Sequence, residues 1–578
     1  MYTFKYKDSS PEKTIEKCKN ILKELGIEVE EKISEYAPGL FSALIFSRKT
    51  GEFSNGKGIS KKYCLASGYA EFLERLQNQL FTRYLHHTST SFDTFPDEKK
   101  ISFTKFLLEN EDIAKDLKQL FILSKGREPL NISETVYIFQ RLYNFNEDDL
   151  ITVPFYSIRK KETTDLPFNL LSEITGTSGE CAGNTPKEAI SQGICEILER
   201  WAEFVVTHNN LTPPRIKESW LEENYPDQFE EIQSLKKSNP NLTIEILDFS
   251  LANKVPVVGT LVIDKEHSRY RLQMGSHPLF NIALERCCTE MVQGINLKDE
   301  VYLKKNFKYF SVESSLKAYE AFNSLSRIED GIGSLPLAIF GNKESWEFEP
   351  WPLINDYDSN KGFDYLKKIC LNLSPDIYIR DNSFLGFPSY YIYIPQLSIL
   401  PITFNDSTIG NPDLKWKLGT LPYDYRTYTE EELKEISDFL MSNYGSRILP
   451  AEDSCDTSEE IQAALHLATG NTSEALSLLR ELAMADKKYM GVISDIELSL
   501  LNIPEEERDS ILKRIYDEET VQYCLNKWRG NILENFFLPI VNSGYALIED
   551  VDIINKVKQK LSLKLLSYSF DQNLKGIL

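Results

Sequence analysis

Two stretches of the chain repeat one arrangement of acids. The first reads Ser67-Gly68-Tyr69-Ala70-Glu71-Phe72-Leu73-Glu74-Arg75, the second Gln192-Gly193-Ile194-Cys195-Glu196-Ile197-Leu198-Glu199-Arg200. In each, a polar residue is followed four positions on by Glu, then by a second Glu and an Arg. At about 100° per residue, Ser67 and Glu74 share a narrow arc beside Glu71, with Leu65, Tyr69, Phe72, Leu73 and Leu76 opposite. Glu188, Gln192, Glu199 and Glu203 gather beside Glu196 in the same way, opposite Ile190, Ile194, Ile197, Leu198 and Trp201. An acidic helix face is ordinarily a solvated one. Solvated helices, however, interleave Lys to relieve like-charge neighbours, and these arcs contain none. Acidic faces that meet across a cleft need cations. Hard divalent ions prefer carboxylate oxygen, and Mg2+ is typically shared between one or two carboxylates and substrate phosphates. The pattern therefore points to a metal–phosphate site rather than to zinc.

A third helix carries Arg286, Glu290 and Gln293 within an arc of about 60°. Arg is a natural fork for phosphate and Glu290 would complete a metal shell; a surface salt bridge is the plainer explanation. Gly56-Lys57-Gly58 offers backbone N–H groups and an ammonium to phosphate, but lacks the Walker A spacing, and a hairpin loop explains it as well. Asn184 sits in an N-cap region and is also a ligand candidate. Cys181 has no His near it in sequence and is not read as a nucleophile. His277, beside Pro278, reads as structural.

The elements that must position these residues follow from periodicity and punctuation. Residues 11–26 read as a helix ending at Gly26, Leu40–Phe46 as a strand, and residues 55–58 as a loop before a helix over 61–84. Residues 97–150 read as charged and mostly helical, and Val153–Ile158 as a strand. A loop over 175–185 leads to a helix over 186–205 with Pro186 in its first turn. Strands at Ile244–Phe249 and Val255–Ile263 precede a helix over 279–296, and Ile377–Ile379 and Tyr390–Ile394 are further strands. Strands and helices thus mix over residues 1–405. A Gly, Pro and Asp-rich linker spans 406–428. Thr429 and Glu432 then form a capping box opening a helical region over 429–578. There Ala464, Ala468 and Gly470, followed by Glu474-Ala475-Leu476, suggest a tightly turned helical hairpin of tetratricopeptide type; an ordinary bundle is the alternative.

Composition bounds the function. With 42% apolar and 12% aromatic residues the chain has material for a sizeable core. A net charge of -22 argues against nucleic acid and anionic membranes as direct ligands, since phosphate affinity comes from Lys and Arg; it suits a basic protein partner or divalent cations. The nine cysteines contain no C-x-x-C pair and the six histidines no H-E-x-x-H. Apolar runs such as Val255–Ile263 are too short to span a bilayer, and residues 1–8 lack the apolar core of a signal peptide. The chain reads as cytoplasmic and reduced.

The ordered motifs S-x-x-x-E-x-x-E-R, Q-x-x-x-E-x-x-E-R after a Gly/Asn loop, and R-x-x-x-E resemble the signature of the YcaO family; Gly56-Lys57-Gly58 and Ala182-Gly183-Asn184-Thr185 also match. The resemblance implies an α+β ATP-binding fold of mixed sheets and helices, unlike kinase or P-loop folds, with a tetratricopeptide-like all-α C-terminal domain. It implies that Glu71, Glu74, Glu196, Glu199 and Glu290 coordinate Mg2+. Lys7, Ser67, Asn184, Glu188, Gln192, Arg200 and Arg286 would contact ATP, with Arg286 and Glu199 the catalytic residues. Family members activate a peptide backbone amide with ATP to form azolines, thioamides or amidines. Stand-alone bacterial members resemble instead accessory factors for β-methylthiolation of an aspartate in small-subunit ribosomal protein S12, whose partners would be the methylthiotransferase and that protein. A homodimer is expected on the same ground. Azoline-forming members end in a Pro-rich tail, whereas this sequence ends Asp571-Gln572-Asn573-Leu574-Lys575-Gly576-Ile577-Leu578, which favours the stand-alone type. An ATP-dependent amide-activating enzyme and a non-catalytic helical scaffold remain as alternatives.

Overall fold

Local chemistry sets the first elements. Pro11 occupies the first turn of α1 (Pro11–Leu25), the Ser10 side chain accepts the Lys13 N–H, and Gly26 closes the helix at φ 81°, a left-handed position that glycine adopts without steric cost. Ser60 caps α2 (Lys61–Gln77) by accepting the Tyr63 N–H.

The structure is a computed structural model describing residues 6–37, 39–47, 50, 52–78, 95–125, 127–143, 149–238, 240–266, 269–291, 308–309, 337–352, 354–399, 429, 432–434, 458–533, 535–536, 551–570, 572 and 574–576. Backbone contacts divide the chain into two units. One comprises Met1–Ser47, Glu52–Phe404 and Asp552–Leu578; the other comprises Arg48–Gly51 and Asn405–Val551.

The first unit mixes helices with three antiparallel sheets among the described residues. β1 (Glu30–Ala37), β2 (Leu40–Phe46) and β3 (Phe53–Gly58) form a meander, against which α2 packs, with α1 on α2. The second sheet has the order β4-β5-β12-β13-β7, with β6 beside β5. Its strands are β4 (Lys99–Ser102), β5 (Asp149–Ser157), β6 (Glu162–Pro167), β7 (Glu180–Ala182), β12 (Tyr378–Asp381) and β13 (Ser389–Tyr393). The third sheet runs β11-β10-β9-β8, from β8 (Leu242–Asp248), β9 (Val257–Asp264), β10 (Arg269–Ser276) and β11 (Lys308–Tyr309). Helices α3 (Phe103–Glu109), α4 (Glu111–Lys125), α5 (Ile132–Tyr143) and α6 (Phe168–Thr175) lie around the second sheet's connections. Helix α7 (Pro186–His208) packs on β7 and β13 of the second sheet and on β10 of the third. Its Ile190, Ile194, Ile197 and Leu198 join Ile379, Ile392, Leu261 and Leu272 in one core. Helices α8 (Glu218–Asn224) and α9 (Pro226–Ser238) share a second core with α10 (Phe280–Met291) and β8. Helix α11 (Ser359–Leu373) packs on α7.

The described residues of the second unit, by themselves, are mainly helical. It contains α12 (Ser458–Ala468), α13 (Thr472–Ala485), α14 (Lys488–Leu500), α15 (Glu505–Ile515) and α16 (Glu518–Lys527). Leu465, Leu479, Val492, Leu512 and Val521 form its core. Asp495 ties the helices electrostatically, receiving Arg508 at 3.1 Å and Arg529 at 2.6 Å.

Several expectations change. Residues 55–58 are not a loop: Gly56 and Lys57 lie inside β3, paired with Ala43 and Ser42. The helix expected over 61–84 is described to Gln77, with Asn78 as its cap. That over 186–205 runs on to His208. That over 279–296 is described as Phe280–Met291, and Gln293 lies outside the described residues. So does the linker 406–428. The expected helical domain 429–578 loses its end, because residues 552–578 belong to the first unit. There, on α17 (Val551–Ser567), Lys560 donates to the Glu24 carbonyl at 3.0 Å, and further on Gln572 exchanges hydrogen bonds with the Asp381 backbone at 2.7 and 3.1 Å.

Candidate functional site

Close backbone approach places the acids. A Cβ on Gly56 would lie 2.1 Å from the Cys64 carbonyl oxygen and 2.5 Å from the Gly68 nitrogen, so β3 and α2 touch through two glycines. A Cβ on Gly193 would meet Ile392 Cδ1 at 2.8 Å and Cys181 Sγ at 2.9 Å. The glycine in each motif thus faces a strand while Glu71, Glu74, Glu196 and Glu199 lie at the partly exposed side. The glycine repeated after Ser67 and Gln192 is the signal in the sequence for this close packing, since a glycine inside a helix that recurs marks a packing contact.

Lys57 joins the three helices. Its ammonium pairs with Glu290 on α10. Burial holds it below its usual pKa; Glu71 pulls it back up, Arg286 pushes it down, and Glu199 and Glu196 act with Glu71. The acids around it are crowded. Burial raises Glu71, with Arg75 and Lys57 opposing and Glu196 adding to the rise. Burial together with Glu71 and Glu196 pushes Glu74 well above the carboxylate range. Burial also lifts Glu199 to about 7, against Arg286 and Arg200 and with help from Glu196. The final Arg of each motif binds that motif's first Glu: Arg75 pairs with Glu71, and Arg200 with Glu196 at 3.2 Å. On α10, Arg286 donates to Gln192 and to the Ser276 carbonyl at 2.6 Å.

A second group lies at the start of α7. Thr185, not Asn184, is the N-cap, accepting the Glu188 N–H. Asn184 is left to donate to Glu188 at 3.0 and 3.2 Å and to accept from Thr14 at 2.6 Å. Lys7 lies 3.3 Å from Glu188. Burial works to raise Glu188, but Lys7, the Asp8 N–H and Asn184 together hold it below the usual value. His277 and Tyr357 lie between the groups, 3.3 Å apart. His277 Nδ1 accepts the Leu279 N–H, and burial, then Arg286 and Lys7, keep the ring neutral. The Ser67 hydroxyl makes no hydrogen bond to the described residues.

The site suits a cation bound together with phosphate. The carboxylates of Glu74 and Glu199 make no hydrogen bond to the described residues, and each is raised by burial and by a neighbouring acid. Among the described residues no three His, Cys, Asp or Glu side chains form a ready-made metal cage; Glu71, Glu196 and Glu290 are paired with Arg75, Arg200 and Lys57.

Buried carboxyls outside the expected ligand set give a pH signature. Burial raises Asp116 to about 6, Glu285 to about 7 and Glu203 to about 8. Each holds its proton more tightly folded than unfolded, so the native state binds more protons between about pH 4.5 and 8, and stability falls as pH rises through that window. A lowered carboxyl such as Glu134, held near 2 by Arg127, acts only below it, while His277 and His208, lowered by burial, oppose the trend below about pH 6.5 but are outnumbered by the raised carboxyls. The expected result is a thermal midpoint that declines from pH 5 to pH 8 in scans without ligand.

Comparison with known proteins bears on this geometry. Residues 55–398 match the family model described as YcaO cyclodehydratase, ATP- and Mg2+-binding. An uncharacterized protein of Haemophilus influenzae is 26% identical over 490 residues, covering 81% of each chain. The ribosomal protein S12 methylthiotransferase accessory factor YcaO of Escherichia coli is 28% identical over 400 residues, 68% of this chain and 65% of that relative. Among solved structures, a heterocyclase in complex with substrate and cofactor is similar at TM-score 0.46 and 17% identity, covering 68% of this chain and 53% of the other. YcaO from Methanopyrus kandleri, bound with AMPPCP and Mg2+, is similar at TM-score 0.42 and 15% identity, covering 71% and 97%.

Proposed function

The chain belongs to the YcaO family, whose cofactors are ATP and Mg2+, and from that premise we propose that α2, α7 and α10 hold the metal and triphosphate between them. Glu71, Glu74, Glu196, Glu199 and Glu290 are the Mg2+ ligands in this reading. Lys7, Ser67, Asn184, Glu188, Gln192, Arg200 and Arg286 hold the nucleotide. The geometry that supports it is the ion pair of half-buried Lys57 on β3 with Glu290 of α10, made where acids of α2 and α7 are close enough to act on the same ammonium. Bound Mg2+ supplies charge neutralisation at the phosphates. Arg286, fixed by Gln192 and the Ser276 carbonyl, adds a preorganised positive charge, so catalysis is mainly electrostatic.

The activity proposed is that of a cytoplasmic accessory factor in β-methylthiolation of ribosomal protein S12, acting with the methylthiotransferase. Likeness to the Escherichia coli relative and the acidic balance of the chain support it, since a basic ribosomal protein complements that charge. No helix among the described residues is long and apolar enough to cross a membrane. The hairpins α12–α13 and α13–α14 are read as a tetratricopeptide-like scaffold for one of these partners, and a homodimer as the assembled form. The family description names a cyclodehydratase, which favours ATP-dependent activation of a peptide backbone amide as a second reading. Titration with a non-hydrolysable ATP analogue, with and without Mg2+, tests the common part, and Mg2+-dependent binding is expected. Gene deletion followed by mass measurement of the ribosomal protein separates the two. Loss of the methylthio mass is expected, and an unchanged mass removes the accessory role.

A further inference from the structure

The segment from Tyr6 to Ser10 is strapped across the second group by contacts to four elements. The Tyr6 hydroxyl donates to Glu285 of α10 at 3.4 Å, and its ring stacks on Tyr63 of α2 at 6.4 Å. Lys7 reaches Glu188 of α7. The Asp8 N–H donates to the other Glu188 oxygen at 2.8 Å. The Asp8 carboxylate accepts from Thr185, the N-cap of α7, and from Ser359 at the start of α11, at 2.6 Å to both carboxylate oxygens. One carboxylate therefore joins the N-termini of two helices, where their dipoles favour an anion.

We propose that Asp8 is a positioning residue for nucleotide binding, pinning the strap so that Lys7 is held on Glu188 and the Asn184–Glu188 pair is fixed. The proposal rests on the nucleotide reading above. The Asp8 side chain is exposed and fills no core space, so its removal leaves packing intact. Its effect passes through the backbone N–H it anchors and the lysine beside it. Without that anchor, the order of the strap must be supplied at the moment of binding, and affinity falls by that amount.

The test uses the full chain with Asp8→Ala and Asp8→Asn. Affinity for the ATP analogue with Mg2+ is measured by calorimetry, and hydrogen exchange over residues 6–14 reports the strap separately. Asp8→Ala is expected to weaken binding about tenfold and to speed exchange over that segment, with the thermal midpoint unchanged. Asp8→Asn keeps an acceptor oxygen for Thr185 and Ser359 and should remain within about threefold of wild type. Wild-type affinity in Asp8→Ala overturns the proposal, as does weakened binding with unaltered exchange. A wild-type chain that binds no analogue overturns the nucleotide reading itself, and this is seen before any variant is compared.

Discussion

Glu199→Ala is expected to stay folded while its affinity for an ATP analogue in the presence of Mg2+ falls by about 100-fold or more, the upper range for losing a group that serves a bound metal. The Glu199 carboxylate makes no hydrogen bond to the described residues, and burial with Glu196 nearby already lifts it to about 7. Removing it relieves a crowded cleft instead of orphaning a buried partner, because Arg200 keeps Glu196 and Arg286 keeps Gln192 and the Ser276 carbonyl. The thermal midpoint without ligand should therefore be unchanged or slightly higher. Affinity measured in chelator should hardly move, since the lost interaction acts through the metal. Glu199→Gln, which preserves shape, should behave in the same way. Undiminished Mg2+-dependent affinity in both variants would remove Glu199 from the site.

The second large effect falls on the fold. Gly56→Ala forces a methyl group to within 2.1 Å of the Cys64 carbonyl and 2.5 Å of the Gly68 nitrogen. Both obstacles are backbone and cannot rotate aside, so β3 and α2 must separate. Overpacking of this kind costs about 1–3 kcal/mol and occasionally more; a backbone clash belongs at the upper end. The shift would carry Lys57, next in β3, away from Glu290 and the acids of α2. Chemical denaturation should show the loss of stability, and nucleotide affinity should fall with it. Gly58→Ala, where the nearest atoms are at 2.8 Å or more, is expected to be milder.

Much of the site's layout was legible because helical periodicity and like-charge avoidance are both local. The repeated Glu pairs predicted two helices with apolar backs, and Ile190, Ile194, Ile197 and Leu198 of α7 are buried as that reading assigned, although Glu188 and Glu203, assigned to the acidic front, are buried as well. The capping box was legible for the same reason: Thr429 and Glu432 exchange backbone N–H contacts at 2.9 and 3.2 Å. Strand β10 escaped notice because Arg269, Arg271 and Gln273 look like surface residues. They alternate with Tyr270, Leu272 and Met274, a two-residue period that marks a strand, and Arg269 is buried against Asp264 at 2.8 Å. The Asn-Gly-Lys-Gly run suggested a turn by composition, whereas its glycines serve contact with α2. Asp8 carried no local signal, because Thr185 and Ser359 are distant in sequence and only the fold brings them together.

The central claim is that acids of α2, α7 and α10 share metal bound with a triphosphate. Crystals grown with an ATP analogue and Mn2+ in place of Mg2+ test it most directly through the anomalous signal of the metal. Metal peaks contacted by carboxylates of Glu71 or Glu74 and of Glu196 or Glu199, with phosphate oxygens completing the shell, are the predicted result. Nucleotide and metal bound away from these three helices, with Lys57 still seated on Glu290, would contradict it.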